Sequence, residues 1–321
     1  MYIAQAFKFK HEFWRYISGF FVVFIFGTQL IGMIPLMIAL LIKYLSDNSF
    51  RNFDEKAIYT LYDSNIMLPL ILFSFVIGFF ILILWVKYIH KQPINTLYSI
   101  QSKLNWKKIW FSFILCGTLV VVSTIVDYYM SPNDYLLNFK LVPFLILFLI
   151  ATILIPIQAS FEEFIFRGYL MQGIGLAAGN KWMPLLFTSL LFGFMHILNP
   201  EVEKMGYIVM VSYVSMGLFF GIITLMDEGL ELAIGYHIAN NLFGALLVTA
   251  DWTAFQTHSV FKYVGDPSAG LEIFIPVFII LPVLIFIFSK KYKWSNWKEK
   301  LFGKVETSII VDTELNDSII D

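Results

Sequence analysis

The chain has 321 residues, 59% of them hydrophobic and only 14% charged, with a mean hydropathy of +0.75 and a formal net charge of −1 at pH 7. A soluble globular domain is nearer a quarter charged, so the composition excludes that class and specifies an all-α polytopic membrane protein. The single cysteine, Cys116, lies in an apolar run, which excludes a disulfide framework or a thiolate metal site within one chain.

The first apolar run, about residues 17–42, is much longer than the apolar part of a signal peptide and has no small-residue cleavage site, so it reads as a spanning helix. Seven more runs follow, at roughly 67–86, 109–127, 141–172, 182–198, 207–226, 232–250 and 272–289. A span needs about 20 mainly apolar residues, and on that rule the expectation is eight transmembrane helices without an internal repeat. All eight tryptophans fall at or just beyond a run's end, where an aromatic belt places them. Sixteen of the 22 lysines and arginines lie in the segments that are cytoplasmic if the N-terminus is inside. The expected orientation therefore has both termini in the cytoplasm, as an integral protein of the plasma membrane. Residues 1–304 are expected to form one transmembrane helical domain, and 305–321 a short, polar, disordered tail.

The fourth run carries the strongest local signal. Residues 141–159 hold no charge, and then come Glu162 and Glu163, with Arg167 one turn on. Ionisable side chains inside a bilayer are costly, so they mark functional sites by default. Glu163 and Arg167 are spaced i,i+4 and can pair on one helix face, while Glu162 points about 100° away. Pro156 is expected to kink this helix. The fifth run carries Phe192 and His196, and the turn between the two runs lies at residues 175–181. Glu162 lies about 16 residues before the centre of that turn and His196 about 18 after it, so an antiparallel hairpin brings them to nearly one depth. A carboxylate facing an imidazole in a dry setting is an acid–base constellation. The seventh run carries His237 and Asn241, again i,i+4 on one face. The expected site thus lies among spans four, five and seven. His11, His90 and His258 fall in loops or tails without an assigned role, Asn199 and Asn240 read as bystanders, and Glu201 reads as part of a solvated outer loop. No serine–histidine–acid or cysteine–histidine set lies at comparable depth, which leaves water as the nucleophile if the site is hydrolytic.

At these residues the chain resembles the CAAX-protease and bacteriocin-processing (CPBP/Abi) family of intramembrane endopeptidases. That family's three patterns stand here as Glu162-Glu163-x-x-x-Arg167, Phe192-x-x-x-His196 and His237-x-x-x-Asn241, complete and in order. The resemblance covers about residues 141–250. It implies a peptidase that cuts a peptide or protein substrate associated with the lipid bilayer, lipidated or membrane-anchored. It also implies that Glu162 and His196 hold and activate the attacking water, that His237 and Asn241 stabilise the oxyanion, and that Glu163 and Arg167 orient them. Glu162, His196, His237 and Asn241 also form an N/O set that suits zinc, so a cofactor-free glutamate mechanism and a zinc mechanism both stand at this point. Two readings from other classes use the same residues: an ion- or proton-coupled transporter with a charged relay, and a non-catalytic immunity or binding protein. Nucleic acid is not an expected partner. The first three spans and the last carry nothing that names a substrate.

Overall fold

The computed structural model describes residues 1–46, 61–101, 103–267 and 270–306. The expected polar tail lies, from residue 307 on, outside these described residues. All eight apolar runs form helices: α1 (Phe13–Ser46), α2 (Ser64–His90), α3 (Trp106–Met130), α4 (Leu141–Ala178), α5 (Trp182–Phe194), α6 (Tyr207–Asp227), α7 (Glu231–Leu247) and α8 (Ile273–Tyr292). The protein is an integral membrane protein built almost entirely from helices. The count of eight spans is not confirmed: among the described residues, six helices are long and apolar enough to cross a membrane. The exceptions are α5, with 13 residues, and α7, with 17. The first gives way to a turn at Met195, and the second passes into extended backbone at Val248.

The connections nevertheless sort into two groups. In one, Lys10 N donates to the His90 carbonyl, Leu230 N to Tyr98, Lys181 N to Gly303 and Val305 N to Gly179. In the other, β1 (Tyr135–Leu137), β2 (Val248–Thr249) and β3 (Phe261–Tyr263) form a small sheet of order β1-β3-β2, with β1–β3 antiparallel and β2–β3 parallel. The His258–Asp63 and Lys204–Asp266 ion pairs belong to this second group.

Membrane helices gain little from hydrophobic attraction to one another and associate through close backbone approach and interhelical hydrogen bonds. At the α3–α7 contact, a Cβ on Gly235 would stand 2.2 Å from the Ile109 carbonyl oxygen. One turn along, Ser112 Oγ donates to the Leu232 carbonyl at 2.7 Å. These contacts fix the helix that carries His237 and Asn241. Before α1, the short 3-10 segment Ile3–Lys8 is tucked inward. Tyr2, just ahead of it, is buried, and its hydroxyl donates to the Leu97 carbonyl and lies 3.1 Å from the Arg167 carbonyl.

α4 changes its winding beyond Pro156. The helix is α-helical through Pro156 to Glu163, then π-helical over Phe164–Leu170, and α-helical again from Met171. A π-helical stretch widens the turn and is frequent at functional sites; this one carries Arg167.

Gly235→Ala would drive a methyl into the backbone of α3, and overpacking of this kind costs about 1–3 kcal/mol. It should lower the thermal midpoint in detergent. Gly244→Ala on the same helix meets nothing within 4 Å, so it should be neutral or stabilise by up to about 1 kcal/mol. Equal midpoints for the two variants would show that α3 and α7 do not depend on this approach.

Candidate active site

Glu163 and Arg167 are fully buried, and Glu162 and His237 nearly so. Arg167 Nη1 donates to Glu163 Oε1 at 3.2 Å, and Nη2 donates to the Gly217 carbonyl at 3.0 Å. That carbonyl is within reach because a Cβ at Gly217 would lie only 2.9 Å from the Ser189 carbonyl oxygen, so α6 rides close on α5. The guanidinium also lies over the Phe192 ring, 4.4 Å from its centroid, with Phe220 at 5.2 Å. Cation–π contact of this kind is worth more in a dry setting than in water.

The oxygen of Glu163 that meets Arg167 also accepts from His237 Nδ1, at 2.8 Å. The pairing of Glu163 with Arg167 follows from spacing. The contact to His237, 74 residues away in sequence, does not. With Nδ1 committed to Glu163, the other ring nitrogen of His237 faces Glu162: Nε2 and Glu162 Oε2 are 3.7 Å apart. That is too long for a direct hydrogen bond and short enough for one oxygen atom, set to the side, to touch both. The Phe220 ring stacks on His237 at 4.9 Å and 21°.

Glu162 has a partner that the motif patterns omit. Gln158 Nε2 donates to Glu162 Oε1 at 2.5 Å, and Gln158 Oε1 accepts from Asn241 Nδ2 at 3.1 Å. One buried amide thus ties the carboxylate of α4 to the carboxamide of α7. The i,i+4 spacing of Gln158 and Glu162 was the available signal, since a glutamine one turn before a buried carboxylate shares its face. Asn240, expected as a bystander, donates from Nδ2 to Asn241 Oδ1 at 3.1 Å.

His196 does not stand on a helix. It follows the end of α5 in a turn, where its backbone N donates to the Gly193 carbonyl at 2.9 Å. Its Nδ1 lies 2.7 Å from the Phe192 carbonyl. A carbonyl oxygen can only accept, so the proton sits on Nδ1 and Nε2 carries the lone pair. The rings of His196 and His237 both pack on Phe192, with centroids 4.7 and 6.1 Å from it.

Three residues expected to have no part in the site, His90 and Glu201 as loop positions and Asn199 as a bystander, are built into the structure. His90 is fully buried between the Lys10 carbonyl and the Tyr169 hydroxyl, at 2.8 and 3.0 Å. Asn199 donates to the Tyr213 hydroxyl at 3.1 Å. Glu201 is not solvated: it is half-buried, accepts from Ala254 N at 2.8 Å, and burial raises its carboxyl above the usual range.

Part of the set that would suit zinc is engaged within the protein. Both histidines keep Nε2 for a ligand role, but both ends of the Asn241 amide are engaged by Gln158 and Asn240. Among the described residues, no three His, Cys, Asp or Glu side chains gather as ligands about one point.

Residues 140–243 match the family described as Type II CAAX prenyl endopeptidase Rce1-like, a stretch that contains Glu162, Glu163, Arg167, His196, His237 and Asn241. The chain is also 31% identical over 259 residues to the uncharacterized protein YyaK of Bacillus subtilis (strain 168), covering 79% of this chain and 82% of that protein. No solved structure matches.

Arg167→Ala would leave Glu163 charged and buried with only His237 beside it, and breaking a buried pair typically costs about 3–5 kcal/mol. The variant should yield less folded protein and a lower thermal midpoint in detergent. An unchanged midpoint would mean that Glu163 is neutral or wetted in the folded protein.

Proposed function

The chain belongs to the Rce1-like family of type II CAAX prenyl endopeptidases, and from that premise we propose that it is an intramembrane endopeptidase that hydrolyses a peptide bond of a membrane-associated substrate. We place it in the plasma membrane with its basic end, and both termini, in the cytoplasm; a reporter fused after Lys304 reads that orientation directly. The observation that carries the catalytic reading is the convergence of Glu162 Oε2 and His237 Nε2, 3.7 Å apart, with Glu163 behind the imidazole.

In this mechanism Glu162 is the general base. It removes a proton from water as the water oxygen bonds to the scissile carbonyl carbon. His196 accepts the water's second proton in a hydrogen bond at Nε2, and so fixes the direction of attack. The carbonyl oxygen then carries negative charge. The remaining N–H of Asn241 Nδ2 meets it. His237 can donate from Nε2 only as an imidazolium, because its Nδ1 proton already faces Glu163. The proton held by Glu162 reaches it by way of the oxygen that bridges the 3.7 Å gap. Glu163 stabilises the imidazolium as the buried carboxylate of a serine-protease triad does. The proton that makes the imidazolium comes from the water, so the site's net charge is unchanged and the new cation faces the new oxyanion. Collapse of the tetrahedral carbon breaks the C–N bond, and the proton passes to the departing amine. The products are a carboxylic acid, which loses its remaining proton to the amine or to solvent, and an amine, and the site returns to its starting state.

A transporter needs a polar path, and in the described structure these charges pair with one another rather than lining one. A non-catalytic protein has no use for a base and a donor held within reach of one atom. The substrate's chemistry is inferred only as far as a peptide presented at the membrane, and a prenylated C-terminus, as in the family's name, is the first to try.

With purified protein in lipid and a prenylated peptide, Glu162→Gln should abolish cleavage while folding normally, since it keeps the shape and removes the base. Asn241→Ala should lower kcat by about 10²–10³-fold with little change in KM, as for loss of an oxyanion donor. Full activity in Glu162→Gln would overturn the assignment. In the same assay a permeant chelator should leave the rate unchanged; loss of activity with recovery on zinc alone would replace the glutamate mechanism with a metal one.

A further inference from the structure

Because α5 ends at Phe194, the backbone alone does not set the direction of His196 as a helix would. The hydrogen bond from Nδ1 to the Phe192 carbonyl fixes one corner of the ring but not the tilt of its plane. The plane is set by Tyr213 on α6, whose ring stacks on the imidazole with centroids 4.4 Å apart and 24° between planes. Tyr213 is itself tied down. Its hydroxyl accepts from Asn199 Nδ2 at 3.1 Å, and Asn199 N donates to the His196 carbonyl at 3.0 Å. His196, Tyr213 and Asn199 therefore close a small circuit that joins the turn after α5 to α6.

We propose that Tyr213 is a positioning residue that clamps the His196 imidazole with its proton on Nδ1 and Nε2 turned outward as the acceptor. The stack does the holding. The phenol hydroxyl adds a link to the turn through Asn199. The clamp itself rests on contacts alone, while its consequence for turnover rests on the peptidase reading. A separate clamp is required because His196 alone among the proposed site residues stands in a turn, where the helical i,i+4 lattice that orders Gln158, Glu162, Glu163 and Arg167 on α4 is missing.

The test uses the full chain in lipid nanodiscs, labelled with ¹⁵N-histidine, with the His196 signal identified by its loss in His196→Gln. Wild-type protein should show His196 as the Nδ1-protonated tautomer. Tyr213→Phe keeps the ring and should keep that signal, with kcat within about threefold of wild type. Tyr213→Leu removes the ring; the His196 signal should average between tautomers and kcat should fall about tenfold with KM changed less than twofold, the size expected when one aromatic pair is lost. A Tyr213→Leu protein with the wild-type His196 signal and rate overturns the clamp. So does one in which the His237 signal shifts as far as that of His196, because the site as a whole has then loosened. If His196 responds as expected while the wild-type protein cleaves no peptide, the clamp stands and the peptidase reading falls.

Discussion

One oxygen atom organises the centre of this protein. Glu163 Oε1 accepts both from Arg167 and from His237, with the carboxylate and the guanidinium wholly out of solvent. An isolated charge at such depth would lose its proton balance or pull in water. Paired on one side by a group on its own helix and on the other by a group from α7, it does neither. Other features can be traced outward from that requirement. The π-helical stretch of α4 carries Arg167; the close seating of α6 on α5 brings the Gly217 carbonyl to its second nitrogen; the Phe192 and Phe220 rings face the cation. Removing a buried charge pair in favour of apolar side chains is often neutral for stability, so its presence speaks for function rather than for stability.

Much of this was legible in the sequence because it is local or periodic. The i,i+4 rule places Arg167 against Glu163 and His237 on a face with Asn241 without knowledge of the rest of the chain. Hydropathy finds all eight helices. What stayed hidden depends on contacts between distant segments or on departures from regular geometry. The Glu163–His237 hydrogen bond joins α4 to α7, and no spacing rule reaches across that separation. The 13 residues of α5 read as a full span because Met195, Ile197 and Leu198 continue the apolar run after the helix has stopped. Hydropathy measures composition and not backbone, so a turn made of apolar residues is invisible to it. For the same reason the π-helical stretch over Phe164–Leu170, which changes the winding but not the composition, leaves no mark in the hydropathy.

Gln158 belongs to a third kind. Its side chain is uncharged, so it raises no alarm in an apolar run, yet it joins the carboxylate and the carboxamide of the site through one planar group. Buried amides of this kind are specific in both directions, since donor and acceptor ends cannot be exchanged without breaking both bonds.

The order in which these partners leave the ribosome gives the local pair a second meaning. Glu163 and Arg167 emerge together and can neutralise each other as soon as their own turn of helix forms. His237 follows some 74 residues later, and Tyr2, which is made first, cannot reach the Arg167 carbonyl until α4 is in place. A carboxylate that relied on α7 alone would have to wait, bare, in the translocation machinery or the bilayer. Membership of the same turn thus lets α4 be delivered as an almost neutral rod, and the Glu163–His237 contact is completed only when the seventh helix arrives.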